Sequence, residues 1–231
     1  MKIDDTPIRE LEAKLGVPDR FFAGLREETD WSFIIKLAAL MEAALSSVIV
    51  AALGRPEIAD TVVAMSLSDN KLGKLRVAQR LGLLDGEQAA FLKQLQKFRN
   101  ECAHQIQNVN FDLKQRVNAL CDPEVAAFAR AAALIPQGKS SIDGETIDFA
   151  RGRPKELLWL GAMAVLLGLA FRNKDAELAN ERARLYESFY KAYGVHSFGG
   201  LASSPGLTAT DAGHGLLGLP LKAEEDSRTA R

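Results

Sequence analysis

Cysteine and histidine are both scarce in this chain of 231 residues. Its two cysteines, Cys102 and Cys121, have no zinc-ligand spacing, and a chain of this length does not need a disulfide framework to fold. We therefore interpret both as reduced thiols and predict no metal site and no cofactor. Of the three histidines, only His104 lies in a segment with a helical pattern, which makes His196 and His214 poor candidates for chemistry.

An excess of charge of one sign is also lacking. The 29 basic and 30 acidic residues leave a net charge of -1, so the whole chain exerts no general attraction on nucleic acid. Residues 61–104 differ, because they carry seven basic side chains against four acidic ones, a net of +3. This local charge fits a modest basic patch, and it equally fits an ordinary solvated surface. If the patch exists, the candidate nucleic-acid-binding residues are Lys71, Lys74, Lys93 and Lys97.

No hydrophobic run is long enough to cross a bilayer in the usual way. The longest uncharged apolar run, Leu157 to Phe171, has 15 residues and contains Gly161 and Gly168, whereas a spanning helix needs about 20. We predict a helix buried within the protein. The polar segment that begins at Met1 does not resemble a secretion signal, so we expect a cytoplasmic protein without a membrane partner.

Apolar residues recur at helical spacing along most of the chain, which predicts an all-α fold. Asp19, Asp30 and Asp85 are the predicted N-caps of three of the helices, and residues 142–150 are predicted to form a short strand or loop. The predicted helical segments are 6–28 (one or two short helices), 30–53, 71–81, 86–104, 113–134 with a break at Asp122-Pro123, 154–171 and 172–193.

The segments suggest three regions. Residues 1–29 are predicted to form an N-terminal helical extension, residues 30–194 a helical bundle, and residues 195–231, which are rich in Gly, Ser, Ala and Thr, a disordered tail.

Glu42 lies beside the apolar stripe of helix 30–53. We interpret it as an exposed carboxylate, with a partner for a basic group in the bundle as the alternative.

The segment Lys97-Phe98-Arg99-Asn100-Glu101-Cys102-Ala103-His104 combines residues suited to RNA chemistry. Arginine binds phosphate with a fixed fork of donors, and histidine exchanges a proton near neutral pH. Asn100 and His104 share a helix face, whereas Arg99 is about 140° away from His104 around the axis. Either the helix bends near His104 or two copies of the chain pool their side chains. We therefore expect a homodimer.

The stretch from Trp31 to His104 resembles the HEPN superfamily (higher eukaryotes and prokaryotes nucleotide-binding domains), and most closely its mannitol operon repressor branch. Three features carry the resemblance. They are the apolar helix Phe33–Leu53, the segment Leu67-Ser68-Asp69-Asn70-Lys71-Leu72-Gly73-Lys74-Leu75 leading to Leu81-Gly82-Leu83-Leu84, and Phe98-Arg99-Asn100-Glu101-Cys102-Ala103-His104.

The resemblance implies an HEPN-like all-α bundle that dimerises around a shared groove and either binds RNA or cleaves it without a metal ion, in defence, as a toxin or in RNA processing. It implies that Arg99 holds the scissile phosphate, that His104 is the general acid or base, and that Asn100 orients His104 or the phosphate by a hydrogen bond. The alternative is a non-catalytic regulator of the mannitol repressor type that acts through protein partners. An antitoxin or a regulatory protein is then the expected partner.

Overall fold

The structure, a computed structural model, describes residues 4–69, 71–104, 110–136, 138 and 142–192. Within these residues the chain is all-α without a strand, which confirms the predicted fold class. The predicted tail at 195–231 lies outside the described residues. The α-helices are α1 (Thr6–Lys14), α2 (Phe21–Gly24), α3 (Asp30–Leu53), α4 (Ala59–Ala64), α5 (Lys74–Arg80), α6 (Gly86–His104), α7 (Leu113–Asn118), α8 (Asp122–Ala132), α9 (Gly144–Gly152) and α10 (Pro154–Ala192).

Helix α3 lies at the centre of the core. It packs most extensively on α6 and also contacts α4 and α5, and eleven of its side chains are buried. The N-terminal helices α1 and α2 share this core, so residues 4–29 belong to the same compact unit as the bundle, Met1–Tyr186. The second unit is Glu187–Arg231, and its described part is the end of α10. Central core side chains are Phe33, Leu37, Met41 and Leu45 of α3, Phe91, Leu95 and Phe98 of α6, and Leu158, Val165 and Leu169 of α10.

The caps of α2 and α3 differ from those predicted. Thr29 caps α3, because its hydroxyl oxygen accepts the Ser32 N–H at 3.4 Å, and Asp30 is already the first helical residue. The Asp30 carboxylate instead accepts the Leu113 N–H at 2.9 Å. Asp19 does not cap α2, since its carboxylate pairs with Arg9 at 2.8 Å.

Two further boundaries were not predicted. Residues 142–150 form neither strand nor loop but most of α9, which begins where the Asp143 carboxylate accepts the Thr146 N–H at 2.6 Å. Helix α5 begins at Lys74 rather than Lys71, because the Asp69 carboxylate binds the N–H groups of Lys71 and Leu72 in a turn. Residues 172–193 were predicted to continue the apolar helix 154–171, and the two segments do form one helix, α10.

Two helices, α3 and α10, are long and apolar enough to span a membrane by length and composition. In their most apolar windows, 61% of α3 and 50% of α10 is buried inside the protein. Core helices of soluble proteins meet the same criteria, so these two features do not place the chain in a membrane. Most of 157–171 is buried as predicted, although Leu160 and Phe171 are exposed.

Helix α10 approaches α8 and α6 closely at a single glycine. A Cβ atom on Gly161 would collide with the Ala132 carbonyl oxygen and lie 2.8 Å from the Phe91 ring. At Gly168 on the same helix, a Cβ would meet only the flexible ends of Gln88 and Arg172, at 2.9 and 3.3 Å. The two glycines therefore differ in how much space surrounds them, although both lie within one helix.

We expect Gly161→Ala to lower the free energy of unfolding by about 1–3 kcal/mol, since an inserted methyl must displace backbone and a core ring. The gain in helix propensity, about 1 kcal/mol, only partly offsets this cost. Gly168→Ala has the same propensity gain without the clash, and we expect it to be neutral or stabilising. Urea unfolding of both variants checks the prediction, and equal effects of the two would show that α10 does not need this close approach.

Candidate nucleic-acid interface

Helix α6 carries the predicted motif and is anchored at its start by a capping box. The Asp85 carboxylate accepts the Gln88 N–H at 2.7 Å, and the Gln88 side chain accepts the Asp85 N–H at 3.2 Å. Phe91, Phe98 and Cys102 face the core. The opposite side of the helix therefore faces outward.

The outward face of α6 holds two of the predicted lysines. At 100° per residue, Lys93, Lys97, Asn100 and position 104 fall within an arc of about 60°. Lys93 and Lys97 are exposed, and Asn100 is half-buried. His104 is the last residue of α6, and its side chain lies outside what the structure describes. We call the surface formed by Lys93, Lys97, Arg99 and Asn100 the outer face of α6.

Arg99 reaches this face through a hydrogen bond to its neighbour. Its Nη1 donates to Asn100 Oδ1 at 3.2 Å, and Gln96 Nε2 donates to the same oxygen at 3.2 Å. The guanidinium thus comes towards the side of the helix that also holds position 104. The distance from this guanidinium to the His104 side chain lies outside what the structure describes, so the structure does not test the 140° offset between the two residues. The homodimer remains a prediction.

Glu101, the acidic residue of the motif, forms an ion pair with an arginine of the next helix. Arg116 of α7 binds the Glu101 carboxylate through both Nε and Nη2, at 2.8 and 3.0 Å. This pairing raises the pKa of Arg116 above its usual value. Among the described residues, Arg99 has no carboxylate within ion-pair distance, and the side chain is exposed. Arg99 is therefore available to an anion such as phosphate.

Cys102 is a core residue of α6 and is not suited to act as a nucleophile. Its thiol is buried, and this burial, followed by the charges of Glu101 and Asp30, raises its pKa to about 11. A thiol with that pKa is protonated at neutral pH, so it is a poor nucleophile. The Cys102 carbonyl accepts a hydrogen bond from Trp31 Nε1 at 3.1 Å, which joins the end of α6 to the beginning of α3.

Lys74 does not belong to this surface, and its prediction as a nucleic-acid-binding residue was wrong. It is 1% exposed, and its ammonium donates to Glu42 Oε1 at 2.6 Å and to the Val63 carbonyl at 2.9 Å. Glu42 is thus the partner of a basic group, which was the alternative interpretation. Lys71 is exposed, but it lies in the turn that leads to Lys74. Trp31 contacts the end of α6, and Glu42 lies about 16 Å further along α3, given a rise of 1.5 Å per residue. The Lys74–Glu42 pair is therefore away from the motif.

Lys97 also faces an acidic group on α8. The pKa of Glu124 is lowered, first by hydrogen bonds from Cys121 and then by the charges of Lys97 and Arg116. Cys121 donates its thiol proton to Glu124 at 3.3 Å. The positive potential of the outer face of α6 is therefore partly balanced at Lys97 and least balanced at Lys93 and Arg99.

Sequence reasoning missed two residues that shape this site. Gln96 lies four residues before Asn100, and this helical spacing alone could have indicated their contact. Arg116 lies 15 residues after Glu101 on a different helix, so no local pattern reveals that pair. Among the described residues, no group of three or more His, Cys, Asp or Glu side chains is placed to hold a metal ion.

Comparison of the chain with protein-family models, with curated proteins and with solved structures finds no match. The resemblance to HEPN proteins therefore remains a hypothesis that rests on the residues themselves. The function has to be argued from the chemistry of the outer face of α6.

Proposed function

We propose that this chain binds single-stranded RNA on the outer face of α6 and cleaves it without a metal ion, as an HEPN-like endoribonuclease. The observation that supports this proposal is that the Arg99 guanidinium is exposed and is not paired with a carboxylate among the described residues. The guanidinium donates a hydrogen bond to Asn100. A cation in this state retains its affinity for phosphate.

In the proposed reaction, Arg99 binds the scissile phosphate and stabilises the charge that develops on it. His104 accepts the proton of the ribose 2′-hydroxyl, whose oxygen attacks the adjacent phosphorus. The bond from phosphorus to the 5′-oxygen breaks, that oxygen takes a proton from water, and His104 releases the proton that it accepted to solvent. Lys93 and Lys97 bind neighbouring phosphates, and Asn100 positions Arg99. The products carry a 2′,3′-cyclic phosphate and a 5′-hydroxyl.

The purified chain is expected to cleave single-stranded RNA in the presence of EDTA and to leave 2′,3′-cyclic phosphate ends. DNA of the same sequence is expected to remain intact, since it lacks the 2′-hydroxyl that acts as the nucleophile. Gel analysis of end-labelled RNA, with mass spectrometry of the product ends, measures both results. Cleavage that needs added magnesium, or that cuts DNA equally well, would contradict the proposed mechanism.

We also propose a homodimer in which the two α6 segments lie together, as the HEPN resemblance implies. Light scattering at micromolar concentration is expected to report twice the chain mass. A disulfide test locates the interface, since a cysteine introduced at the exposed Lys97 should crosslink two copies under oxidation. A particle of one chain mass at all accessible concentrations would exclude the shared groove, although the single-chain site could still bind RNA.

A second candidate function, regulation through a protein partner, is favoured by a different observation. Phe171, Leu178 and Leu185 recur every seven residues along α10 and are 56%, 45% and 62% exposed. An exposed apolar stripe of this kind is typical of a protein-binding surface. An antitoxin or a regulatory protein would be the expected partner. Absence of RNA cleavage under every condition tested would make this function the leading one.

A further inference from the structure

An open groove of about 760 Å³ lies along α3, away from the outer face of α6. We call it the α3–α10 groove. Its floor is one face of α3 from Ala39 to Gly54, and its walls come from the end of α1, from α4 and from the second half of α10. It begins about 12 Å beyond Trp31 along α3, at 1.5 Å per residue. The charged side chains that line the groove are Lys14, Glu42, Lys74, Glu177 and Arg184.

The groove is open because the floor side chains are small. Ala39, Ala43, Ser47 and Ala51 are spaced four residues apart and form one row along the helix. Larger side chains in this row would fill the space between α3 and α10. The floor is therefore apolar and shallow over several helical turns.

Helix α10 is held across this floor by polar contacts at two separate points. Asn180 Nδ2 donates to the Ala51 carbonyl at 2.7 Å. Further back along α10, Lys14 binds Asn173 Oδ1 at 3.1 Å and also pairs with Glu177. The first contact joins α10 to α3 and the second joins α10 to α1, and neither fills the gap above the floor. The groove is thus a built feature of the fold and does not depend on a loose helix end.

The charges around the groove leave one cation without a carboxylate. Glu177 pairs with Lys14, and Glu42 pairs with the buried Lys74. Arg184 also lines the groove, and within the described part of the chain it has no ion-pair partner. An apolar floor with an unneutralised guanidinium at its edge complements a molecule that has an apolar body and one anionic end.

We propose that the α3–α10 groove binds a small amphipathic carboxylic acid. The apolar chain of the ligand lies over the row Ala39, Ala43 and Ser47, and its carboxylate binds the fork of Arg184. The volume is within the range of about 300–1,000 Å³ that is usual for small-molecule sites. This site is separate from the outer face of α6, so the proposal does not depend on RNA cleavage.

Calorimetric titration of the full chain with dodecanoate, below its micelle concentration, tests the proposal. We expect saturable binding of one molecule per chain. Ala43→Phe fills the floor and should weaken binding at least tenfold. Ser47→Leu fills the same row and should have the same effect, and it takes the place of Ala43→Phe if that variant unfolds. Arg184→Gln should weaken dodecanoate binding at least tenfold, since it removes the charged donors that bind the carboxylate, but it should not weaken binding of dodecanol.

Arg182→Gln is the matched control, because Arg182 is exposed on the same helix and does not line the groove. It should bind dodecanoate as the parent does. The proposal is overturned if dodecanoate shows no saturable binding, or if folded Ala43→Phe and Ser47→Leu variants bind it unchanged. It is also overturned if dodecylammonium binds more tightly than dodecanoate, or if Arg182→Gln weakens binding as much as Arg184→Gln.

Discussion

Replacing His104 with alanine is expected to lower the rate of RNA cleavage by about 10²–10⁴-fold, the usual contribution of a positioned general acid or base. Binding of RNA should change much less, because in the proposed site Arg99 and the lysines of α6 supply the phosphate contacts. Single-turnover cleavage and filter binding separate the two effects. Circular dichroism establishes that the variant is folded. The variant, purified in the same way, also controls for contaminating nucleases.

Arg99→Lys is expected to lose most of the activity as well, since lysine keeps the charge but lacks the fork that binds two phosphate oxygens. Arg80→Ala is the matched control. Arg80 is an exposed arginine at the end of α5, on a different helix from the motif, and its loss should leave cleavage within a factor of about 2–3, since one exposed charge changes a neighbouring site little. Asn100→Ala should lower activity less than Arg99→Lys does, because Asn100 acts through Arg99.

Cleavage by His104→Ala at the parental rate would remove the catalytic assignment. Regulation through a protein partner would then become the leading function. If His104→Ala and Arg99→Lys both lose RNA binding in proportion to their loss of cleavage, the outer face of α6 is a binding surface and the reaction takes place elsewhere.

The long helices could be predicted from the sequence because local information determines them. The apolar stripe of α3 is followed by Gly54 at a positive φ of 62°, and the capping box of Asp85 and Gln88 precedes α6. Helix α9 was missed because it has only nine residues and few buried side chains. Its capping residue, Asp143, was the one local signal of its start.

The candidate site was predictable in its residues but not in its pairings. The exposure of Arg99 and the shared face of Asn100 and position 104 follow from helical spacing. The contacts of Glu101 and Lys74 do not, because their partners lie 15 and 32 residues away along the chain. A lysine that follows a turn and begins a short helix is usually exposed. Only the three-dimensional fold shows that Lys74 enters the core beside Glu42.

The Lys74–Glu42 pair leads to an asymmetric prediction for stability. Glu42→Ala is expected to lower the free energy of unfolding by about 3 kcal/mol, because it leaves a buried ammonium with the Val63 carbonyl as its remaining partner. This value is at the lower end of the range for broken buried pairs, since the Glu42 side chain is 39% exposed and water can enter where it stood. Urea unfolding measures the change.

Lys74→Met is expected to cost only about 1 kcal/mol, because methionine fills the buried space of the lysine stem and the freed Glu42 carboxylate can be hydrated. The double variant should then resemble Lys74→Met, since removal of the ammonium abolishes the penalty of an unpaired charge. Glu57→Ala, which breaks an exposed pair with Arg55 at 3.5 Å, is the control and should cost at most about 0.5 kcal/mol. Equal losses from Glu42→Ala and Lys74→Met would show that the ammonium of Lys74 reaches water, and that the pair does not lock α5 against α3.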